Sequence, residues 1–243
     1  MNAPRDQYGV ATARTGGVAI DQGLRQYMLG VYNYMALGVA ATGIFSLLIS
    51  SNVALMQFIV GTPLKWVGFF GILGLGFMAP RVIYSGSKIA AHAMFWAYAA
   101  LWGVMIAPML YAFQQSGAAQ EIYRAFFISA SVFGGLSLWG YTTKKDLTGW
   151  APVIGAGLIG VLVIMILNAL FFHSEMSSLL TSSAVVLLVS ALTAYETQAI
   201  KSFYREGGAM NERSAIMGAF MLYGSFVTLF VHILNILGIM RND

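Results

Sequence analysis

Seven long apolar runs, four of them without a single Asp, Glu, Lys or Arg, dominate this chain of 243 residues. Such runs constrain the fold more than any other feature, because a segment of roughly 20 apolar residues crosses the hydrocarbon core of a bilayer. Inside lipid, backbone amides and carbonyls find no water, so each run must satisfy them internally as a helix. The runs place helices at Tyr27–Ile49, Leu64–Pro80, Ile89–Ala112, Tyr123–Tyr141, Trp150–Phe172, Ser177–Ile200 and Ser214–Met240. Composition agrees: 58% of residues are hydrophobic and 9% charged, against about 25% charged in a soluble domain. The segment Val53–Val60 is too short to span and reads as an interfacial turn or an extension of the first helix. The expected class is an all-α membrane protein, a single domain over residues 27–243 behind a flexible cytoplasmic tail, residues 1–26.

Charge sets the expected orientation. Arg5, Arg14, Arg25, Arg81, Lys88, Lys144, Lys145, Lys201, Arg205 and Arg213 fall on one side of the seven-span path. Lys65, Arg124 and Arg241 fall on the other. Basic connectors stay cytoplasmic, which puts the N-terminus inside and the C-terminus outside. The net charge of +4 does not indicate nucleic acid, since the cations are scattered through short connectors rather than gathered into a patch. With no cysteine, disulfides and thiolate chemistry are excluded. Trp66, Tyr111, Tyr123, Trp139, Tyr141 and Trp150 stand near span ends, where amphipathic rings favour the headgroup level.

Glycines serve packing. Gly68, Gly71 and Gly74 recur every three residues in the second span, a spacing that lets helices approach closely. Gly155, Gly157 and Gly160 match the form of a dinucleotide fingerprint. No strand precedes them and no acid follows at the required distance, so they too are read as packing.

Few ionisable groups remain inside the spans, and each costs about 2.5 to 3.5 kcal/mol on insertion scales unless it meets a cavity or a partner. Glu196 lies in the sixth span, five residues before Lys201, hence about 7.5 Å of rise from the cytoplasmic boundary. Arg81 ends the second span on that same side. The two could form an ion pair closing the cytoplasmic end, or each could snorkel to the interface separately.

On the seventh span, Ser214, Gly218, Ser225, Thr228, His232 and Asn235 fall within an arc of about 100° at helical periodicity. This stripe suits a hydrated permeation path with Met221 as an apolar constriction, and it suits equally the hydrogen-bonding glue between membrane helices. His92, His173 and His232 share no ligand spacing, so no metal or cofactor is expected. Nucleotide-binding, metalloprotease and nucleophile-elbow motifs are absent, and the chain is not expected to be an enzyme.

Four segments carry a family resemblance: Gly103–Pro108 with the alanine-rich aromatic run before it, Phe133–Gly149, Tyr195–Lys201, and Leu222-Tyr223 with Leu229-Phe230. They resemble the Bax inhibitor motif family, in its bacterial branch, over nearly all of the chain beyond the tail. The resemblance implies a seven-helix bundle with the last helix enclosed by the others, set in the bacterial inner membrane. It implies a passive, pH-sensitive leak of calcium or other cations. It further implies facing acids on the sixth and seventh helices and an arginine that latches the first of them. Glu196 takes the first acidic place and Arg81 the arginine place, but Ser225 stands at the second. The second span also lacks an acid that other members carry. Two carboxylates sharing a proton would make a switch near neutral pH, and a lone Glu196 cannot supply that coupling. Calcium favours several oxygen ligands, so any calcium binding here is expected to be weak. The family also implies an alternative: a non-transporting modulator that binds a membrane protease or stress-response complex, with the tail as its handle.

Overall fold

The computed structural model describes residues 12–205, 207–208 and 210–242, with side chains for 22–205, 207–208 and 210–241. It is helical throughout, with no strand among the described residues. The elements are α1 (Thr12–Ser50), α2 (Val53–Gly61), α3 (Leu64–Ser85), α4 (Lys88–Gln115), α5 (Ala119–Thr142), α6 (Ala151–Leu167), α7 (Glu175–Phe203) and α8 (Asn211–Asn242). A 3-10 turn, Thr148–Trp150, leads into α6, and a π-turn, Asn168–Phe172, leaves it. All but α2 are long and apolar enough to cross a membrane.

The expected spans all appear, with ends displaced by a few residues. The largest change is at the start, where α1 is helical from Thr12 and long enough to cross from Gln22. Residues 12–26, expected in a flexible tail, therefore belong to a helix. Arg5 and the rest of residues 1–11, and the side chain of Arg14, lie outside the described residues. Val53–Gly61 is neither a turn nor an extension of α1. Asn52 breaks away from α1 and caps a new helix, accepting a hydrogen bond from the Leu55 amide at 3.1 Å. Met56 and Ile59 of α2 then bury against Ala107 of α4, beneath Ile49 and Leu64. Similar caps start two of the spans, Ser87 on α4 and Ser174 on α7.

Helix α8 occupies the centre. It packs against α1, α3, α4, α5 and α7, and Leu222, Tyr223, Leu229 and Leu234 are wholly buried. The outer faces are apolar: Phe77 is 86% exposed and Ile89 81%. That surface would be costly in water at about 25 cal/mol per Å² and is at home in lipid. With the seven spans, it makes the chain a multi-pass membrane protein.

Some glycines do mediate close approach. A β-carbon on Gly140 of α5 would stand 2.2 Å from the Ala194 carbonyl oxygen of α7, and one on Gly68 would meet the Met105 sulfur. Others do not: Gly74, Gly155 and Gly160 look onto open space, so the packing role expected of every glycine in those runs fails at these three. Their spacing was right for a contact face, but their helices turn that part of the face away from any neighbour.

Hydroxyls join the helices deeper in. Tyr32 on α1 meets Ser137 on α5 at 2.6 Å, and Ser137 meets Thr197 on α7 at 2.9 Å. Thr42 on α1 meets Tyr223 on α8 at 2.7 Å. The basic residues gather at one end of the bundle, where Arg213 donates to the Tyr84 carbonyl at 2.8 Å, Lys201 donates to the Tyr141 carbonyl at 2.6 Å, and Lys88 pairs with Glu212. At the opposite end Arg241 donates to the Ser116 carbonyl at 2.9 Å.

Candidate functional site: a cavity beside the central helix

The buried side of α7, which packs against α5 and α8, carries several small and polar residues. Thr193, Ala194, Thr197 and Ile200 are fully buried there, and Glu196 is 7% exposed. Thr193 and Thr197 return their hydroxyls to carbonyls one turn back, at 2.8 and 2.9 Å, so they add no free polar group. Glu196 faces the central helix α8. Its Oε2 accepts a hydrogen bond of 2.6 Å from the Ser225 hydroxyl, the shortest link between the carboxylate and the central helix.

Beside that pair opens a cavity of about 610 Å³ walled by α3, α4, α6, α7 and α8. Glu196, Ser225, Thr228, His232 and Met221 all line it, together with Tyr98 and Trp102 of α4. A second cavity of about 290 Å³ adjoins it toward the end opposite the basic cluster. Met109, Met165, Val231 and His232 line both, so these side chains stand at the boundary the two cavities share. In the second cavity Asn235 donates to Ser178 and Ser182, each at 2.9 Å, and the His232 Nδ1 lies 3.1 Å from the Ser182 hydroxyl. Thr228 is turned back on its own helix, donating to the Gly224 carbonyl at 2.8 Å.

The permeation-path residues expected on the seventh span, Ser225, Thr228, His232, Asn235 and Met221, thus line two adjoining cavities, and three of them, Ser225, His232 and Asn235, spend their polar atoms on α7. The interhelical hydrogen bonds expected of the stripe are present at Ser225, His232 and Asn235, while Ser225 and Met221 also line the larger cavity. A single carboxylate in an otherwise apolar wall is compensated by a proton or by a cation. That choice is the chemistry the site offers.

The expected gating pair is different. Arg81 is exposed and makes no ion pair with Glu196; the ion pairs among the described residues are Lys88 with Glu212, His92 with Glu212 at 3.9 Å, and Arg124 with Glu121 at 2.8 Å. The reason lies in the azimuth of α3. Ala79 and Ile83 are its buried face, and a residue two positions from each stands about 200° around the helix. Rise along the axis put Arg81 and Glu196 at the same end, and rotation separates them. The basic end is closed by apolar packing, with Ile83 and Ile200 fully buried, Ile216 4% exposed, and Gly218 set against Ile200.

Sequence reasoning missed Tyr98 and Trp102 as cavity residues. They form an i, i+4 aromatic pair on one face of α4, a signal present in the sequence and indistinguishable there from lipid-facing aromatics. Trp102 keeps its Nε1 buried without a hydrogen-bond partner. The three histidines stay apart: His92 binds Tyr34 at 2.6 Å near the basic end, His232 lines the cavities, and His173 ends the π-turn in a left-handed conformation, φ 49°. No group of three or more His, Asp or Glu side chains converges among the described residues.

Known proteins extend the comparison. The family model described as "Inhibitor of apoptosis-promoting Bax1" matches residues 24–242. An uncharacterized protein of Rickettsia prowazekii is 34% identical over 233 residues, covering 95% of this chain and 97% of that protein. An uncharacterized membrane protein of Streptococcus pyogenes serotype M3 is 34% identical over 227 residues, covering 92% and 96% of the two chains. The inner membrane protein YbhL of Escherichia coli K12 is 28% identical over 221 residues, covering 89% and 92%. The match spans α1 to α8 and so takes in the central helix, its enclosing bundle and both cavities: the chain belongs to the Bax inhibitor family.

Proposed function

We propose that the protein is a passive, pH-sensitive cation leak of the bacterial inner membrane, with calcium the cation that family membership suggests. The observation that carries this reading is Glu196, the carboxylate in the wall of a cavity of about 610 Å³ that adjoins a second one along α8. The inner membrane follows from the relative YbhL, an inner membrane protein by its description. Ten of thirteen basic residues lie on one side of the chain's path, which supports a reading in which the closed end faces the cytoplasm.

In this reading cations enter from the far side, pass His232 and Thr228, and reach Glu196. When Glu196 carries a proton it offers no charge to a cation, and when it is ionised it does, so flux follows its titration. Opening requires α7 and α8 to part where Ile200 meets Gly218, and the Ser225 to Glu196 hydrogen bond is the tie that must yield. One carboxylate holds calcium weakly, as suits a conduit that must also release it.

The test is calcium entry into proteoliposomes loaded with a calcium dye, followed from about pH 5 to 8. Wild-type protein is expected to conduct with a clear pH dependence. Glu196→Gln removes that dependence, and Arg81→Ala, which touches no ion-pair partner here, preserves it. Silence at every pH, or flux indifferent to Glu196→Gln, overturns the proposal and favours the modulator that binds another membrane protein.

A further inference from the structure

The leak uses a carboxylate and hydroxyls, and it leaves the sulfur in the same walls without a role. Five of the chain's fourteen methionines line the large cavity: Met105 and Met109 on α4, Met165 on α6, and Met217 and Met221 on α8. Four of these are i, i+4 pairs, which stack side chains on one helix face.

Helices α4 and α8 run side by side in the same direction, since Tyr98 stacks on Phe220 at 4.3 Å and Phe113 lies against Gly238 farther along. That register brings Met109 level with His232 and leaves Met217 and Met221 nearer the basic end. Met109, Met165 and His232 each line both cavities, and so stand at the junction the two share. The imidazole is oriented there. Its Nδ1 is engaged by Ser182, which Asn235 holds in turn, so Nε2 is the nitrogen left for the cavity. A ring fixed through one nitrogen and open at the other is the usual state of an imidazole that binds metal.

Two thioethers and a neutral imidazole form a soft, uncharged ligand set, which favours Cu(I) over hard cations such as calcium or magnesium. We infer that the junction of the two cavities binds a soft monovalent cation of the Cu(I) class through Met109, Met165 and His232 Nε2. Glu196 in the same cavity balances the charge, and Met105, Met217 and Met221 offer further thioethers along the wall. The inference adds a cation class to the proposed leak and rests on that reading for access from the membrane face alone.

Methionines that merely fill space would be replaced by leucine without consequence, because the two side chains have similar volume. The full chain in lipid nanodiscs is therefore titrated with Ag(I), a redox-silent probe of the Cu(I) class, against a competing chelator, and bound silver is counted by mass spectrometry. The wild type is expected to hold about one silver ion per chain, and the Met109→Leu, Met165→Leu double variant to bind at least about tenfold more weakly. Met78→Leu with Met176→Leu, both exposed on the outer faces and outside the cavities, is expected to keep wild-type affinity. An unchanged melting temperature without silver verifies that the variants are folded. No silver retained by the wild type, equal affinity in the junction double variant, or equal retention of Zn(II) overturns the inference. Calcium flux separates the two readings: silver binding without flux discards the leak and keeps the site, whereas flux with silver indifferent to the junction methionines discards the site and keeps the leak.

Discussion

Helices α6 and α8 both cross the membrane, and they do it under opposite conditions. In the span around α6 only 11% of residues are buried within the protein, against 56% in the span of α8. α6 leans mainly on α7 and shows lipid a nearly continuous aliphatic surface, with Val153 72% exposed and Gly160 facing open space. α8 is walled by five helices and carries Ser225, Thr228, His232 and Asn235. Polar groups at membrane depth are tolerated only where protein, a cavity or a partner surrounds them. The span around α6, the most apolar of the seven, is thus also the least enclosed by protein.

The sharpest way to break this contrast is to add one methyl group on each side of it. Gly140→Ala, in the wall around α8, drives a carbon toward the Ala194 backbone oxygen, which cannot rotate away. A loss of about 3 kcal/mol is expected, at the upper end of overpacking costs, measured by reversible unfolding in mixed micelles. Next comes Ser225→Ala, which leaves the Glu196 carboxylate buried without its donor. That substitution should cost about 1 to 3 kcal/mol in the same assay. Gly160→Ala on α6 meets nothing within 4 Å. It should stay within about 0.5 kcal/mol of wild type, and a cost as large as that of Gly140→Ala would erase the distinction between the two helices.

The smallest effect lies in the turn that feeds α6. The hydroxyl and amide of Thr148 hold the Asp146 carboxyl below the usual carboxylate range, and the amide bond measures 2.9 Å. Because the folded value is depressed, the contact contributes fully above the ordinary carboxylate range and is lost as pH falls through the lowered value. The Thr148 amide resonance should keep its position down to that point and shift below it, while Asp146→Asn shifts it at every pH and leaves the melting temperature unchanged.

Much of the fold was legible because spanning helices are specified by length and apolarity alone, quantities that a single chain displays. Even the polar face of α8 could be placed by counting, since Ser225 and His232 are two turns apart. Partner choice was another matter. Helical periodicity says that Glu196 and Arg81 are at one end, but which face each occupies depends on how α3 and α7 rotate against their neighbours. Tyr98, Trp102 and Met109 were invisible as site residues for the same reason: aromatic and thioether side chains look alike in sequence whether they meet lipid or a cavity. Asn52 shows the converse, a single capping side chain that decided between a bent α1 and a separate α2.

The central place of α8 also bears on how the bundle is made. Helices enter the membrane in chain order, and domains form from the N-terminal side first during synthesis. Until α8 arrives, α1, α4, α5 and α7 have nothing along their common axis, and Glu196 lacks the hydroxyl that will bind it. Of the described helices α8 comes last in the chain, so the contacts it makes with α1, α4, α5 and α7 form after those four have been inserted. Assembly therefore ends at the same seam, between α7 and α8, where the finished protein would have to open.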